Sequence, residues 1–337
     1  MIDFRSDTVT KPGKEMLAWM MQAKTGDDVF GEDPTIIELE KYAADLFGME
    51  AALFCPSGTM TNQIAIKTHT QAGDEVITDS ESHVYQYEGG GIAFNAGCSV
   101  QLIKGNRGRL TAQQVKSAIN PVDIHKAPTR LVCLENTSNR GGGSCYDIAE
   151  IKAIKVVCTE NNLSLHLDGA RLFNALIAKN ETPQQHGELF DSISICLSKG
   201  LGAPVGSLLL GNQEFIKKAR RWRKVFGGGM RQAGFLAAAG LYALQHNIER
   251  LKIDHERALL IEKALLEKDF VETVLPVETN IIIAELKDIM SPNNFVTAMK
   301  EKGILLFPFG HQKIRMITHL DMDDEMIAKT IEVIKNL

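Results

Sequence analysis

Lys199 stands where an apolar strand gives way to a turn. The stretch Ser192-Ile193-Ser194-Ile195-Cys196-Leu197-Ser198-Lys199-Gly200-Leu201-Gly202-Ala203-Pro204 alternates apolar and small residues, then breaks at glycines and a proline. The alternation predicts a strand with one fully apolar face. A lysine between that strand and so tight a turn cannot easily carry its amine out to water, which suits a nucleophile or a Schiff-base donor. Upstream, Leu165-His166-Leu167-Asp168-Gly169-Ala170-Arg171 ends another apolar run. Asp168 and Arg171 are three apart, so both can address one planar ligand, the carboxylate at a protonated ring nitrogen and the guanidinium at a ring oxygen. Earlier still, Pro56-Ser57-Gly58-Thr59 separates a short apolar strand from a helix. Hydroxyls and free N–H groups at a helix start suit an anion such as a phosphate. Taken singly, these read as a surface lysine, a cap with a salt bridge, and a capping turn.

The three signals each close a predicted strand, and open α/β sheets place ligand sites at the carboxyl ends of strands. In that order they match the needs of pyridoxal 5'-phosphate, which must be held by its phosphate, its ring nitrogen and its aldehyde. A carboxylate that keeps the ring nitrogen protonated lets the ring act as an electron sink.

The elements that must position these residues alternate along the chain. Strands are predicted over 51–54, 75–78, 99–104, 129–135, 164–167, 193–197 and 207–210. Helices are predicted over about 15–23, from Asp33 to Gly48, from Thr59, and over 148–161. Asp33 serves as N-cap, Pro34 opens the helix and Gly48 stops it. This alternation implies an open, mostly parallel sheet flanked by helices. An Ala-rich helix over 231–245 is too apolar for solvent and reads as core or subunit contact. A long amphipathic helix over 249–267 follows, then short strands at 273–275, 280–286, 304–307 and 313–318 with helices at about 293–302 and 323–335. The expected organisation is an N-terminal arm (1–10), a large α/β domain (11–250) and a smaller C-terminal α/β domain (251–337).

Composition narrows the function. The chain has 337 residues, with 37 basic and 42 acidic side chains for a net charge of −5. No nucleic-acid footprint is evident. The one basic cluster, Lys217 to Lys224, falls on a predicted helix and reads as a solvated face or an anion site. The six cysteines form no CxxC pair, no metal-ligand spacing is found, the N-terminus is too charged for a signal peptide, and no apolar run would span a membrane. The expectation is a reduced, cytoplasmic protein with no metal.

Across nearly its whole length the chain resembles the L-threonine aldolases, fold-type I pyridoxal-phosphate enzymes. The segments that carry the resemblance are Arg5-Ser6-Asp7-Thr8-Val9-Thr10, Gly26-Asp27-Asp28-Val29-Phe30-Gly31, Pro56-Ser57-Gly58-Thr59, His166 to Arg171, the Lys199 stretch, Gly227-Gly228-Gly229-Met230-Arg231-Gln232 and Arg315-Met316-Ile317-Thr318-His319-Leu320. The resemblance implies retro-aldol cleavage of L-threonine or L-allo-threonine to glycine and acetaldehyde. It implies that Lys199 holds the cofactor aldehyde, that Ser57, Gly58 and Thr59 hold its phosphate, that Asp168 and Arg171 hold its ring, and that His83 stacks on the ring. His125 would approach the substrate hydroxyl, so His83 and His125 are both candidates for the base. Tyr87 would line the pocket, and Ser6 with Arg315 would grip the substrate carboxylate. Lys224 and Arg231 would reach a neighbouring subunit's site, Arg231 near the cofactor phosphate. That implies a homo-oligomer, a dimer or a tetramer built as a dimer of dimers, with shared sites.

The His83–Tyr87 segment is similar to that of members preferring the allo isomer, and activity on both isomers is expected. One segment departs from the family. Where the family usually reads Glu-Asn-Thr-His-Asn-Gly, this chain has Glu135-Asn136-Thr137-Ser138-Asn139-Arg140, and the Gly141-Gly142-Gly143 run after it reads as loose. Competing readings are a serine-hydroxymethyltransferase-like enzyme, a β-eliminating lyase, an aminotransferase, and a non-catalytic amino-acid sensor of the same fold.

Overall fold

A computed structural model describes residues 1–337. Thirteen strands fall in chain order as β1 (Ile2–Asp3), β2 (Ala51–Cys55), β3 (Glu75–Asp79), β4 (Ser99–Ile103), β5 (Thr129–Glu135), β6 (Ser164–Gly169), β7 (Ser192–Cys196), β8 (Ser207–Gly211), β9 (Val271–Val274), β10 (Ile281–Leu286), β11 (Ile304–Leu305), β12 (Phe307–Pro308) and β13 (Lys313–Ile317). Seven form the main sheet, in the order β2-β8-β7-β6-β5-β3-β4. Only β8 runs against its neighbours, so the sheet is mostly parallel, as the strand–helix alternation implies. The site depends on this, because every strand except β8 presents its carboxyl end to the same edge.

Both faces of the sheet are covered. Ala52, Phe54, Ile77, Val132, Leu134, Leu165, Leu167, Ile193, Ile195, Leu208 and Leu210 share one apolar cluster with the helices Pro34–Phe47, Ile148–Glu160, Leu172–Lys179 and Gly234–His246. The helix Gly58–His69 covers part of the other face, with Ile64 and Ala65 packed near Leu53 and Leu209. On that second face the central strands carry His166, Asp168, Ser192 and Ser194, all buried. Polar groups buried there must satisfy one another.

Local signals end the elements where expected. The Asp33 side chain accepts the N–H groups of Thr35 and Ile36, each at 3.1 Å, Pro34 opens the helix, and Gly48 closes it at φ 64°. The Ala-rich helix is resolved as core: Ala237, Ala239 and Ala243 are fully buried within the chain, where its neighbours are the helices Lys14–Met21 and Pro34–Phe47. Phe235 on the same helix remains exposed. Short helices at Ala112–Ala118, Leu172–Lys179 and Pro183–Gly187 were not anticipated from the apolar pattern.

The C-terminal region builds a four-stranded antiparallel sheet, β12-β13-β10-β9, against the helices Leu251–Leu266, Pro292–Glu301 and Asp324–Lys335. The N-terminal arm joins this second core. β1 pairs parallel with β11, and Ile2 and Phe4 are buried in the same cluster as Ala258 and Met316. The arm then turns at Ser6, which accepts the Thr8 N–H at 3.2 Å, and carries Asp7 to the edge of the main sheet.

Candidate active site

The carboxyl ends of β2, β6 and β7 bring the phosphate turn, Asp168 and Lys199 to one rim. After β2, Ser57 adopts an extended backbone and caps the helix Gly58–His69 through the Met60 N–H at 3.2 Å. The N–H groups of the first turn have no intrahelical acceptor and can serve an anion. Gly58 is required by close approach, because a Cβ there would lie 2.5 Å from Cys196 Sγ at the end of β7. Beyond Cys196, Gly202 at φ 80° donates its N–H to the Lys199 carbonyl at 2.8 Å and closes the lysine turn. Lys199 makes no ion pair. Its Nζ approaches only Cys196 Sγ, at 3.7 Å.

Asp168 is 2% exposed and has no cation partner in the chain. It accepts from Asn62 Nδ2 at 3.0 Å and from the Ala170 N–H at 3.1 Å. A buried carboxylate of this kind has room for one charged donor, which is what a protonated pyridine nitrogen supplies. An unpaired amine, an uncompensated buried carboxylate and an open helix start therefore fit pyridoxal phosphate.

Arg171 is committed on two of its nitrogens. Nε and one terminal nitrogen each donate to Asp7 at 2.7 Å, and both side chains are buried. Burial alone would raise the Asp7 pKa, but the Arg171 charge and hydrogen bonds outweigh it and hold Asp7 at about 2. Asp7 thus fixes Arg171 beside Asp168.

His83 opens a short helical turn after β3. Its backbone N–H donates to Glu135 Oε2 at 2.7 Å, and its Nδ1 lies 3.0 Å from Glu88 Oε1. One ligating-type atom from each of His83, Glu88 and Asp168 falls within 4.8 Å of the others, so the cluster is strongly acidic. Burial would depress the His83 pKa, but the Glu88 bond and the Asp168 charge raise it. Tyr87 packs obliquely on the His83 ring at 5.6 Å, and its far side is half exposed.

Arg315 projects from β13 into the same neighbourhood. One terminal nitrogen donates to Asn139 Oδ1 at 2.9 Å and the other to the Arg5 carbonyl, next to Ser6, at 3.2 Å. No carboxylate of the chain pairs with it, and its buried Nε has no partner. Burial and the nearby Arg171 push its pKa down to about 10. The guanidinium also lies 4.8 Å from the Phe309 ring, which Arg140 approaches at 4.3 Å. A half-buried cation with free donors suits an anion.

Three further residues lie apart from this group within the chain: His125, and Lys224 with Arg231, which are expected to reach a neighbouring subunit's site. His125 is in the turn before β5, which enters from the opposite edge of the sheet; its side chain is 81% exposed and pairs with Asp123. Arg231 pairs with Asp27 at 2.8 Å, and Lys224 is exposed with no acidic partner. None of them bonds to Lys199, Asp168 or His83.

The segment after β5 also corrects an expectation. Gly141, Gly142 and Gly143 are buried rather than loose, because Arg107 donates to the Gly141 and Gly142 carbonyls and Thr279 to that of Gly143. Ser138 closes this turn, accepting the Gly141 N–H at 3.2 Å, and it packs against Gly108.

Asn62, Glu88, Glu135 and Asn139 also line the site, beyond the residues that the motifs mark. Glu135 could have been found, since Leu134-Glu135 and Leu167-Asp168 end adjacent strands alike, and the two carboxylates are register partners. Its burial and the Asp168 charge lift Glu135 to about 7, against the N–H groups of His83 and Asn139 that favour its ionised form.

A seven-stranded mixed sheet with lysine, aspartate and phosphate turn at its carboxyl edge defines the fold-type I class of lyases and transferases. A solved structure of SPT with its PLP internal aldimine has this fold, with a TM-score of 0.76 at 17% identity over 99% of this chain and 86% of that one. A Leishmania major threonine aldolase superposes with a TM-score of 0.86 at 22% identity, covering 100% of this chain and 99% of that one. In sequence, the chain is 43% identical over 330 residues to the low specificity L-threonine aldolase of Escherichia coli (strain K12), covering 98% of this chain and 97% of that protein. It is 41% identical over 325 residues to low-specificity L-threonine aldolase 1 of Arabidopsis thaliana, covering 94% and 91%. Residues 3–289 match the family model of the beta-eliminating lyases. The chain belongs to that family and, within it, to the low-specificity L-threonine aldolases.

Proposed function

We propose that this protein cleaves L-threonine and L-allo-threonine to glycine and acetaldehyde with pyridoxal phosphate as cofactor. The observation that carries the reading is Arg315, a half-buried guanidinium that no carboxylate pairs, on the same rim as Lys199 and Asp168. An amino-acid substrate presents a carboxylate, and a planar guanidinium grips it in two-point fashion. The bound cofactor supplies an aldehyde that captures the substrate amine and a cationic ring that takes up the electrons of the broken bond.

Lys199 would hold the aldehyde of the bound cofactor through its amine. Asp168 pairs with the ring nitrogen, and Ser57, Gly58 and Thr59 hold the phosphate. Arg171, already fixed by Asp7, offers its remaining terminal nitrogen to the ring oxygen. Arg315 and Ser6 hold the carboxylate, which sets the Cα–Cβ bond across the ring plane. His83, close to Asp168 and Glu88, is the proposed base for the β-hydroxyl proton. Its Nδ1 faces Glu88, so above its raised pKa the Nε2 is free to accept. A role for His125 requires a second copy of the chain. Exposed Phe30, against Arg231, and exposed Val225, next to Lys224 in the chain, support a homo-oligomer, proposed as a tetramer with shared sites.

A pocket that grips amine and carboxylate reads the Cβ configuration weakly, since a displaced methyl is worth about 1–3 kcal/mol. Turnover of both L isomers follows. No helix is long and apolar enough to cross a membrane, and the six cysteines are free and buried, which supports a reducing, cytoplasmic setting. The test is product analysis with the four stereoisomers of threonine. Glycine and acetaldehyde should form from both L isomers and from neither D isomer. Ammonia with 2-oxobutanoate from L-threonine would instead identify a β-eliminating enzyme, and binding without turnover a sensor.

A further inference from the structure

A file of buried polar groups runs between the helix Gly58–His69 and the central strands, and the proposed chemistry uses only its end. Asn62 Nδ2 lies 2.9 Å from Glu88 Oε1 and 3.0 Å from Asp168 Oδ2. Asn62 Oδ1 lies 3.2 Å from His166 Nε2, His166 Nδ1 lies 2.8 Å from Ser192 Oγ, and Ser192 Oγ lies 2.8 Å from His69 Nε2. The spacing follows from the elements. Asn62 and His69 are two helical turns apart on one face, His166 and Asp168 share a face of β6, and His166 is the register partner of Ser192 on β7.

The direction of every bond is determined. Carboxylates accept, so the Asn62 amide must point its NH2 at Glu88 and Asp168 and its oxygen at His166. His166 must then donate from Nε2. Burial drives His166 down to about 3 and His69 to about 4, so both rings are neutral with one donor and one acceptor each. His166 Nδ1 therefore accepts from the Ser192 hydroxyl, whose oxygen in turn accepts from His69 Nε2. Reversing any one bond would leave two acceptors or two donors face to face.

We propose that Asn62 is a positioning residue for the ring-nitrogen carboxylate, with its amide locked by the His166–Ser192–His69 file so that one NH2 group bridges Glu88 and Asp168. Two buried carboxylates this close share a proton when nothing donates between them. With Asn62 in place, Asp168 Oδ2 is held by the amide and Oδ1 is left facing the place of the ring nitrogen. Without it, nothing fixes Oδ2, and the carboxylate that should pair with the ring is free to turn. His166, Ser192 and His69 touch neither cofactor nor substrate in this arrangement and act only through Asn62.

The inference rests on the cofactor reading above, and its test separates the two. Equilibrium binding of pyridoxal phosphate to the apoprotein is followed by tryptophan fluorescence, alongside binding of the 1-deaza analogue, which has CH in place of the ring nitrogen. Asn62→Leu should weaken pyridoxal phosphate by at least tenfold and the analogue by less than twofold. Ser192→Ala, a smaller change remote from the cofactor, should weaken pyridoxal phosphate about fivefold with the analogue again within twofold. Equal losses for both ligands would show a merely structural role and overturn the inference, as would unchanged affinity in both variants. Wild-type protein that binds neither ligand would overturn the cofactor reading and this inference with it.

Discussion

Replacing Arg315 separates its function from its stability. Its guanidinium spends one N–H on Asn139 and one on the Arg5 carbonyl, leaving the Nε hydrogen and one on each terminal nitrogen for a ligand. Two charge-assisted bonds to a carboxylate are worth about 1.5–3 kcal/mol each. Arg315→Ala should therefore lower kcat/KM for L-threonine by roughly two to four powers of ten. Arg315→Lys keeps the charge but loses the fork, and one lost bond of about 1.5–3 kcal/mol corresponds to roughly 10- to 150-fold. Threoninol, which lacks the carboxylate, serves as the control ligand, and its binding should respond to neither substitution. Stability should move the other way. The shift from 12.5 to about 10 means that folding disfavours this charge by about 3 kcal/mol at 1.36 kcal/mol per unit. The melting temperature of the apo Arg315→Ala protein should consequently not fall. A kcat/KM within threefold of wild type, or equal losses with threoninol, would refute the carboxylate assignment.

Asp7→Asn leaves Arg171 buried without its counter-charge and should cost about 3–5 kcal/mol in urea unfolding. In the wild type the Asp7 pKa is depressed from 3.8 to about 2, which at 1.36 kcal/mol per unit is about 2.5 kcal/mol. That contribution is complete above pH 4 and should disappear as pH falls through about 2. Gly58→Ala drives a methyl against Cys196 Sγ and should weaken cofactor binding while costing about 1–3 kcal/mol of stability. Cys196→Ala in the same chain should restore part of both, and no rescue would contradict the close-approach explanation. Glu135 is raised from 4.5 to about 7, so its stabilising effect is present below about 4.5 and lost as pH rises through about 7. Activity should have the opposite slope. The ionised form best accepts the N–H groups of His83 and Asn139, so kcat/KM should fall as pH drops through about 7; Glu135→Gln should make that fall shallower and leave the single-proton limb of the base His83.

Much of the site was legible because its chemistry sits on strong local signals. Apolar runs ending in Asp168 and Lys199, and a cap at Ser57, announce strand ends whatever the topology. The arm was read as extended, yet nothing local says that Asp7 reaches Arg171, since β1–β11 pairing and the Phe4 contact join opposite ends of the chain. Arg315 could be assigned only by resemblance, because its cost appears only when burial is known. The polar file was half visible: Ser192-Ile193-Ser194-Ile195 and Ser164-Leu165-His166-Leu167-Asp168 alternate polar and apolar residues. Such alternation ordinarily means one wet face. A helix covers that face here, so the alternation marks a buried network. His125 lies in a turn that enters the sheet from the edge opposite Lys199, so any role for it rests on a second copy of the chain rather than on order along this one.

The most direct test of the central claim is to locate the amine that holds the cofactor. The purified protein is incubated with pyridoxal phosphate, reduced with borohydride, digested and examined by peptide mass analysis. The expected result is a stoichiometric pyridoxyl-phosphate adduct on Lys199, absent from Lys199→Ala protein, which should also release no acetaldehyde from L-threonine. An adduct on another lysine, or undiminished threonine cleavage by the Lys199→Ala protein, would contradict it.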